Sequence, residues 1–321
     1  MNSTRTVLLT NPIDSSGVEL LKQGNCNVVY TSDQGADTLR AMSADAEVII
    51  VRSRLPDDIL AHAPKLRGFV RHGVGVDFIP VAKATAHGLP VVNAPGTNAI
   101  AVAEYVFSGM HALQRSVRAI DGQLREERWV RARQPADSSQ ELHGQTIGIV
   151  GLGNVGKAVA RIAHFGYGMT VLGCQRNLQS MPEYVRPTSL ESLFSNSRYI
   201  VLCCPLTHET EGMVDKSLLS LVAPFSYLIN VGRGQLIDEM ALVEALSNQS
   251  LAGAVLDVFS EQPLKPNHPF LSTPNLLLTP HVAGITAQSM TRMSVLAAEE
   301  TLRILDGKRP INLVNPEVWP S

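Results

Sequence analysis

The amino-acid sequence predicts an α/β protein made of two doubly wound parallel-sheet domains. Three observations carry that prediction. Short β-rich runs, nearly all apolar, alternate with helical patterns along most of the chain, as expected of parallel strands covered on both faces by helices. A length of 321 residues exceeds one average domain and suits two. Apolar residues make up 45% of the chain, enough to give each domain its own core.

Taken in order, strands are expected at 6–10 (TVLLT), 27–31 (NVVYT), 47–51 (EVIIV), 66–71 (LRGFVR) and 89–93 (LPVVN), with a helix from Ser16 to Gln23. The leading MNSTRTVLLTNP has too short an apolar run for a secretory signal and reads as the approach to the first strand. Val102, Tyr105, Val106, Gly109 and Leu113 recur at helical spacing, so one long helix is expected from about Ala99 to Leu124, connecting to the second domain. Residues 126–140 are polar and poorly patterned, and are expected to form a surface excursion or a subunit contact. Further strands follow at 146–150 (TIGIV), 169–174 (MTVLGC), 199–205 (YIVLCCP), 226–231 (SYLINV), 251–259 (LAGAVLDVF) and 275–279 (NLLLT). A last helix, about Thr286 to Leu305, carries Met290, Met293, Leu296, Ala297 and Ile304 on one face; Gly307 and Pro310 end it. The division expected is 1–98 with 286–321 in one domain and 99–285 in the other.

Composition excludes several functions. A net charge of −2 and a pI near 6.5 give no general attraction to nucleic acid or membrane. No stretch approaches the roughly 20 apolar residues of a membrane helix. Cys26, Cys174, Cys203 and Cys204 lack the spacing of a zinc site or disulfide framework, so no metal is expected and reduced thiols in a cytoplasmic protein are.

Gly151-Leu152-Gly153-Asn154-Val155-Gly156 directly follows the strand at 146–150 and opens a helix expected over Lys157–His164. In such a turn the first glycine bends tightly, the second admits a pyrophosphate and the third lets helix and strand pack closely. The helix N-terminus adds free N–H groups and partial positive charge. The motif alone is weak, and a purely structural glycine turn is the plain alternative. Seated between a strand and a helix, with another strand at 169–174, it points to a dinucleotide. That further strand usually ends in an acid for the adenosine ribose, but here it ends Cys174-Gln175-Arg176-Asn177. Gln175 would not repel a 2′-phosphate and Arg176 could pair with one, which favours NADP(H), with NAD(H) the alternative if Arg176 is merely solvated.

Three segments end predicted strands downstream: Asn230-Val231-Gly232-Arg233-Gly234, Asp257-Val258-Phe259-Ser260-Glu261-Gln262-Pro263 and Thr279-Pro280-His281-Val282-Ala283-Gly284. Together with VRS (51–53), HGVGVD (72–77), NAPGTNAIAVAE (93–104), CPLTHETEG (204–212) and PINLVNP (310–316), they make the chain closely resemble the D-isomer-specific 2-hydroxyacid dehydrogenase family over essentially its whole length. The resemblance implies a Rossmann cofactor domain inserted in a flavodoxin-like substrate domain, with the active site in the cleft between. It also implies hydride transfer between a nicotinamide cofactor and C2 of a small anionic 2-hydroxy or 2-oxo acid, in a homodimer formed through the long helix and the 126–140 excursion.

Residue by residue, the resemblance implies that Arg233 holds the substrate carboxylate and polarises the keto oxygen, work suited to a planar, permanently charged guanidinium. His281 would exchange a proton with that oxygen. Asp257 would lie near the nicotinamide, and Cys204, Pro205, Thr210, Val231, Gly232, Arg233, His281 and Gly284 would line the cofactor. Gly73, Val74 and Gly75 would offer backbone N–H groups to the carboxylate, beside Arg52, Ser53 and His72. Each has a bland reading singly: an arginine after a turn is often a surface ion pair, and a histidine at a strand end often caps a loop.

One position departs from the family pattern. Where a glutamate usually partners the histidine, this chain has Gln262. Glu261 is its neighbour and is expected to point elsewhere. A glutamine orients an imidazole without adding negative charge, so His281 should hold its proton less well. Formate dehydrogenases of the family carry Gln there, since removing hydride from formate needs no proton transfer, but HGVGVD resembles the hydroxyacid enzymes. Arg52, Ser53, Arg54, Arg71 and His72 could bind a second anionic group, with His72 the distinctive member. Three alternatives therefore accompany the leading reading of a glyoxylate/hydroxypyruvate-type reductase. They are a dehydrogenase oxidising phosphoglycerate, sulfolactate or a related acid, a formate-dehydrogenase-like enzyme, and a nucleotide-sensing corepressor that binds protein partners.

Overall fold

A computed structural model describes residues 5–126 and 128–319. Met1–Thr4 of the leading segment and Glu127 of the 126–140 stretch lie outside the described residues. The chain forms two compact units, one of Met1–Asn98 with Ile285–Ser321 and one of Ala99–Gly284.

The first unit begins β1 (Arg5–Leu9), α1 (Ser15–Gln23), β2 (Cys26–Tyr30), α2 (Ala36–Met42), β3 (Val48–Val51), β4 (Gly68–Arg71), α3 (Val81–Ala86) and β5 (Val91–Val92). The second contains α4 (Ala99–Arg115), α5 (Val117–Arg125), α6 (Trp129–Asp137), β6 (Thr146–Val150), α7 (Asn154–Arg161), β7 (Thr170–Cys174), β8 (Val185–Pro187) and α8 (Leu190–Asn196). It continues with β9 (Tyr199–Leu202), α9 (Lys216–Leu219), β10 (Tyr227–Asn230), α10 (Glu239–Ser247), β11 (Gly253–Leu256) and β12 (Leu276–Leu278). The chain then returns to the first unit with α11 (Ala287–Leu305).

All strand pairs are parallel. The smaller sheet has the order β2-β1-β3-β4-β5, the flavodoxin-like arrangement. The larger runs β12-β11-β10-β9-β6-β7-β8, a Rossmann sheet with one strand added at the edge. Strands β3 and β9 are wholly buried, as apolar runs covered on both faces must be. In the first unit α1 lies directly on α11. Gly17 permits this, because a Cβ there would come within 2.6 Å of the Ser294 carbonyl oxygen.

One sequence expectation fails around α4. The single helix expected to reach Leu124 breaks at Ser116, whose backbone is left-handed (φ 47°). The apolar spacing through Leu113, Val117, Ile120 and Leu124 continues in phase across the break, so periodicity cannot reveal it. The 126–140 stretch holds a helix, α6, with only Ala132 buried and Pro135 inside it. Its charged residues and proline gave no apolar stripe to read.

The strand order of the larger sheet reverses between β6 and β9, the switch point where such folds bind ligands beyond the carboxyl ends of the strands. The glycine loop, Cys204, Gly232–Gly234, Asp257 and Thr279–His281 all follow the carboxyl ends of strands in this sheet.

Candidate active site

The three glycines of the 151–156 turn face different surroundings. Gly151 has φ +91°, and a Cβ there would lie 2.7 Å from the Cys204 backbone. A Cβ on Gly156 would lie 2.0 Å from the Gly151 carbonyl, so α7 packs against the turn only with glycine there. A Cβ on Gly153 would meet nothing within 4 Å. Gly153 is also the N-cap of α7 and supplies no side-chain acceptor to the first-turn N–H groups of that helix. Uncapped donors behind a Cβ-sized gap fit a pyrophosphate.

At the far end of β7, the Gln175 amide donates to Asn177 O (2.6 Å) and Ser180 Oγ (3.2 Å). Arg176 is ion-paired: its Nη1 is 3.0 Å from Glu209 Oε2, with both side chains exposed. The carboxylate missing from the strand end is thus supplied from 33 residues on, where it neutralises the arginine. Thr210 staples its own loop, donating to Pro205 O and accepting from the Thr207 N–H, both at 2.8 Å. Burial pushes the Cys204 thiol up to about 11, so it is a neutral wall beside Gly151.

The Arg233 turn is shaped by Asn230, whose Oδ1 accepts from Gly232 N (3.0 Å) and whose Nδ2 donates to Arg233 O (2.8 Å). Val231 and Arg233 are half-buried, and Arg233 Nη1 donates to Gly232 O (2.7 Å). Gly234 is unavoidable: a Cβ there would sit 1.9 Å from the Phe259 carbonyl carbon. This packs the arginine turn on the segment leading to Gln262.

Asp257 is 2% exposed. Its carbonyl accepts from His281 N (2.8 Å), its Oδ1 from Val282 N (2.8 Å) and Thr279 Oγ1 (2.6 Å), and its Oδ2 from Ala283 N (2.8 Å). One residue thus grips three successive N–H groups of the turn that ends at Gly284. His281 has φ +57°, a left-handed conformation costing a non-glycine residue on the order of 1–2 kcal/mol. These bonds hold it there, with the imidazole exposed. Gln262 Oε1 lies 3.0 Å from His281 Nδ1, while its Nε2 reaches toward Phe259 O at 3.5 Å. With the carbonyl end on Nδ1, the imidazole carries a proton there. Glu261 turns away to Lys265, 2.6 Å distant.

The residues of the first unit fare differently. His72 is a correction: it is 4% exposed, with Nε2 2.8 Å from Ser294 Oγ on α11. Burial, then Arg52 and Arg71, depress its pKa to about 3. A buried neutral imidazole contributes no charge to a substrate. Arg71 is structural, donating to Gly75 O (2.9 Å) and Val51 O (2.7 Å) under the Phe78 ring. The Gly73 N–H donates to Arg71 O (2.9 Å). Arg52 donates to Pro12 O, and the backbone N–H groups of Arg52 and Ser53 both donate to Thr10 Oγ1 (2.8 and 3.1 Å).

Residues 107–283 match the pattern of the family described as D-isomer specific 2-hydroxyacid dehydrogenase, NAD binding domain. The chain belongs to that family. A glyoxylate reductase from Aeropyrum pernix is 37% identical over 87% of this chain and 85% of its own. Among solved structures, the NADPH-dependent glyoxylate/hydroxypyruvate reductase of Sinorhizobium meliloti, in complex with NADP and malonate, is 29% identical over 99% of both chains (TM-score 0.86). An NAD-dependent formate dehydrogenase from Staphylococcus aureus, in complex with NAD, is 28% identical over 95% of this chain and 96% of its own (TM-score 0.84). The protein is therefore a hydroxyacid oxidoreductase of the dehydrogenase class, its larger unit carrying the NAD-binding domain. Among the described residues no helix is long and apolar enough to cross a membrane, and no group of three or more His, Cys, Asp or Glu could hold a metal.

Sequence reading missed Glu209, Tyr105 and Thr279 as parts of the site. Glu209 sits inside a quoted motif, but its partner is remote in sequence. Tyr105 Oη is 2.5 Å from Thr279 Oγ1 across 174 residues, and nothing local signals that contact.

Proposed function

We propose that this enzyme reduces the C2 carbonyl of a small 2-oxo acid of the glyoxylate or hydroxypyruvate type, with NADPH preferred over NADH. The observation that carries the reading is the exposed imidazole of His281, held through Nδ1 by Gln262 Oε1 at 3.0 Å. Arg233 binds the substrate carboxylate and draws charge onto the keto oxygen. A bound reduced nicotinamide supplies hydride to C2. His281 delivers the Nε2 proton to the oxygen as that bond polarises, and Gln262 accepts from Nδ1–H throughout, so the product leaves as the 2-hydroxy acid. Asp257 holds the turn carrying His281 alongside the nicotinamide. Arg176 exchanges Glu209 for the 2′-phosphate, a charge-assisted contact that supports NADP(H).

A panel of 2-oxo acids with NADPH and with NADH, followed by loss of reduced-cofactor absorbance, tests both halves. Turnover of none of them would end the substrate reading, and a preference for NADH would end the cofactor reading. Gln262 favours a second reading, formate oxidation with NAD, since that reaction needs no proton from His281. Formate with NAD belongs in the same panel. The exposed Val117, Trp129 and Val130 of α5 and α6, 61%, 64% and 77% accessible, support a homodimer. Light scattering after size exclusion checks it, and a monomer at micromolar concentration would refute it. Thiols without disulfides suit a cytoplasmic enzyme.

A further inference from the structure

We propose that Tyr105, acting through Thr279, is a positioning residue for His281. This rests on the reading of His281 as the proton-exchanging group. Thr279 is the pivot of the catalytic turn. Its N–H donates to Leu256 O (3.0 Å), its carbonyl accepts from His281 N (3.0 Å), and its hydroxyl sits between Asp257 Oδ1 (2.6 Å) and Tyr105 Oη (2.5 Å).

The direction of the hydroxyl chain follows from proton counting. A carboxylate oxygen accepts, and Asp257 Oδ1 already accepts from the Val282 N–H. Thr279 therefore gives its one proton to Asp257, and its oxygen accepts from the Tyr105 O–H. Burial pushes the Tyr105 phenol up, which keeps it a donor. The chain reads Tyr105 O–H to Thr279 O–H to Asp257, and Asp257 grips the N–H groups of residues 281, 282 and 283.

Tyr105 is well placed to act as a strut. It lies on α4, where the neighbouring Val106 and Met110 are buried at 0% and 1% exposure. A Cβ on Gly109 of the same helix would come 2.9 Å from Val255 of β11, so helix and sheet are in close contact. A rigid helix thereby fixes the rotamer of Thr279, Thr279 fixes the Asp257 carboxylate, and the carboxylate fixes a left-handed turn that tolerates little loosening. The imidazole samples fewer unproductive orientations as a result.

The test uses the full-length enzyme with glyoxylate and NADPH. Tyr105→Phe should lower kcat about 3–10-fold, the scale of one buried hydrogen bond, with KM for both substrates within about two-fold. Thr279→Val should lose more and Thr279→Ser should restore most of it. In a His281→Ala background, Tyr105→Phe should produce no further loss, because there is no imidazole left to orient. Unchanged kcat in Tyr105→Phe, or a loss that multiplies with that of His281→Ala, would overturn the proposal. A loss carried by cofactor KM would do the same. If His281→Ala itself keeps full activity, the acid–base reading falls first, and the two failures are told apart.

Discussion

Two turns in this protein each follow a parallel strand and each carry a histidine, yet they do opposite things with it. In the larger unit, Asp257 takes three backbone N–H groups and leaves the His281 ring outside, with Gln262 on one nitrogen. In the smaller unit, Arg71 ties Gly75 O to Val51 O, and the His72 ring turns inward onto Ser294. In the first turn the Asp257 carbonyl and carboxylate take the N–H groups, and the His281 ring lies exposed beside Gln262. The second turn uses its side chains for closure, and what it can still offer a ligand is backbone. Residue type and neighbouring motif do not decide whether a histidine works; the direction of the ring does.

The contrast is broken or sharpened by substitution. His281→Ala should cost about 10²–10⁴ in kcat for 2-oxo acid reduction, the usual range for a lost general acid, and should abolish the high-pH fall in rate. Steady-state rates from acid to alkaline pH check both, and a near-normal rate would place the chemistry elsewhere. Gln262→Glu should move that high-pH limb upward by about 1–3 pH units, since an adjacent carboxylate favours the imidazolium that reduction requires. A limb that stays put while His281 is essential would mean that another group partners the ring.

Arg176→Ala should weaken NADPH binding by about 1–3 kcal/mol and leave NADH nearly unchanged. Titration of each cofactor by fluorescence separates these, and equal losses would show that Arg176 is only a surface ion pair. His72 should matter to stability alone. Its pKa is about 3 in the fold against an ordinary 6.5, so the unfolded chain takes up a proton that the buried ring refuses. Stability should therefore be intact above about pH 6.5 and fall by about 1.4 kcal/mol per unit as pH drops toward 3. His72→Gln should flatten that slope without changing kcat. Melting temperatures of both proteins between pH 4 and 7 decide it; parallel slopes would refute the buried neutral state.

What the sequence disclosed follows a physical division. The glycine turn was legible because Gly151 and Gly156 stand where a Cβ would clash, while Arg233, Gln262 and His281 were singled out by family resemblance at the ends of predicted strands. Apart from the short edge strand β8, whose three residues Val185–Pro187 form no apolar run, both sheets were legible because buried parallel strands are apolar runs. The break at Ser116 was hidden, since a left-handed residue leaves apolar phase untouched. The Arg176–Glu209 pair, the Tyr105–Thr279 bond and the His72–Ser294 bond were hidden because they join positions 33, 174 and 222 residues apart. His72 looked distinctive in the sequence for its place in a motif, and only burial shows what that place does.

The smaller unit is completed by α11 and the tail beyond it. Glu300 on that helix is fully buried and accepts from the N–H groups of Ile311 (3.0 Å) and Asn312 (2.9 Å), while Asn315 accepts from Val91 N (2.8 Å). Ser294 accepts the Asp14 N–H at 2.9 Å. A ribosome adding about 5–20 residues per second takes roughly 10–40 s to travel from Asn98 to Leu305. During that interval the larger unit has emerged in full, but the first sheet waits with one helix face uncovered. The protein is therefore built inside out in time: the domain encoded in the middle can be finished first, and the one encoded first is finished last.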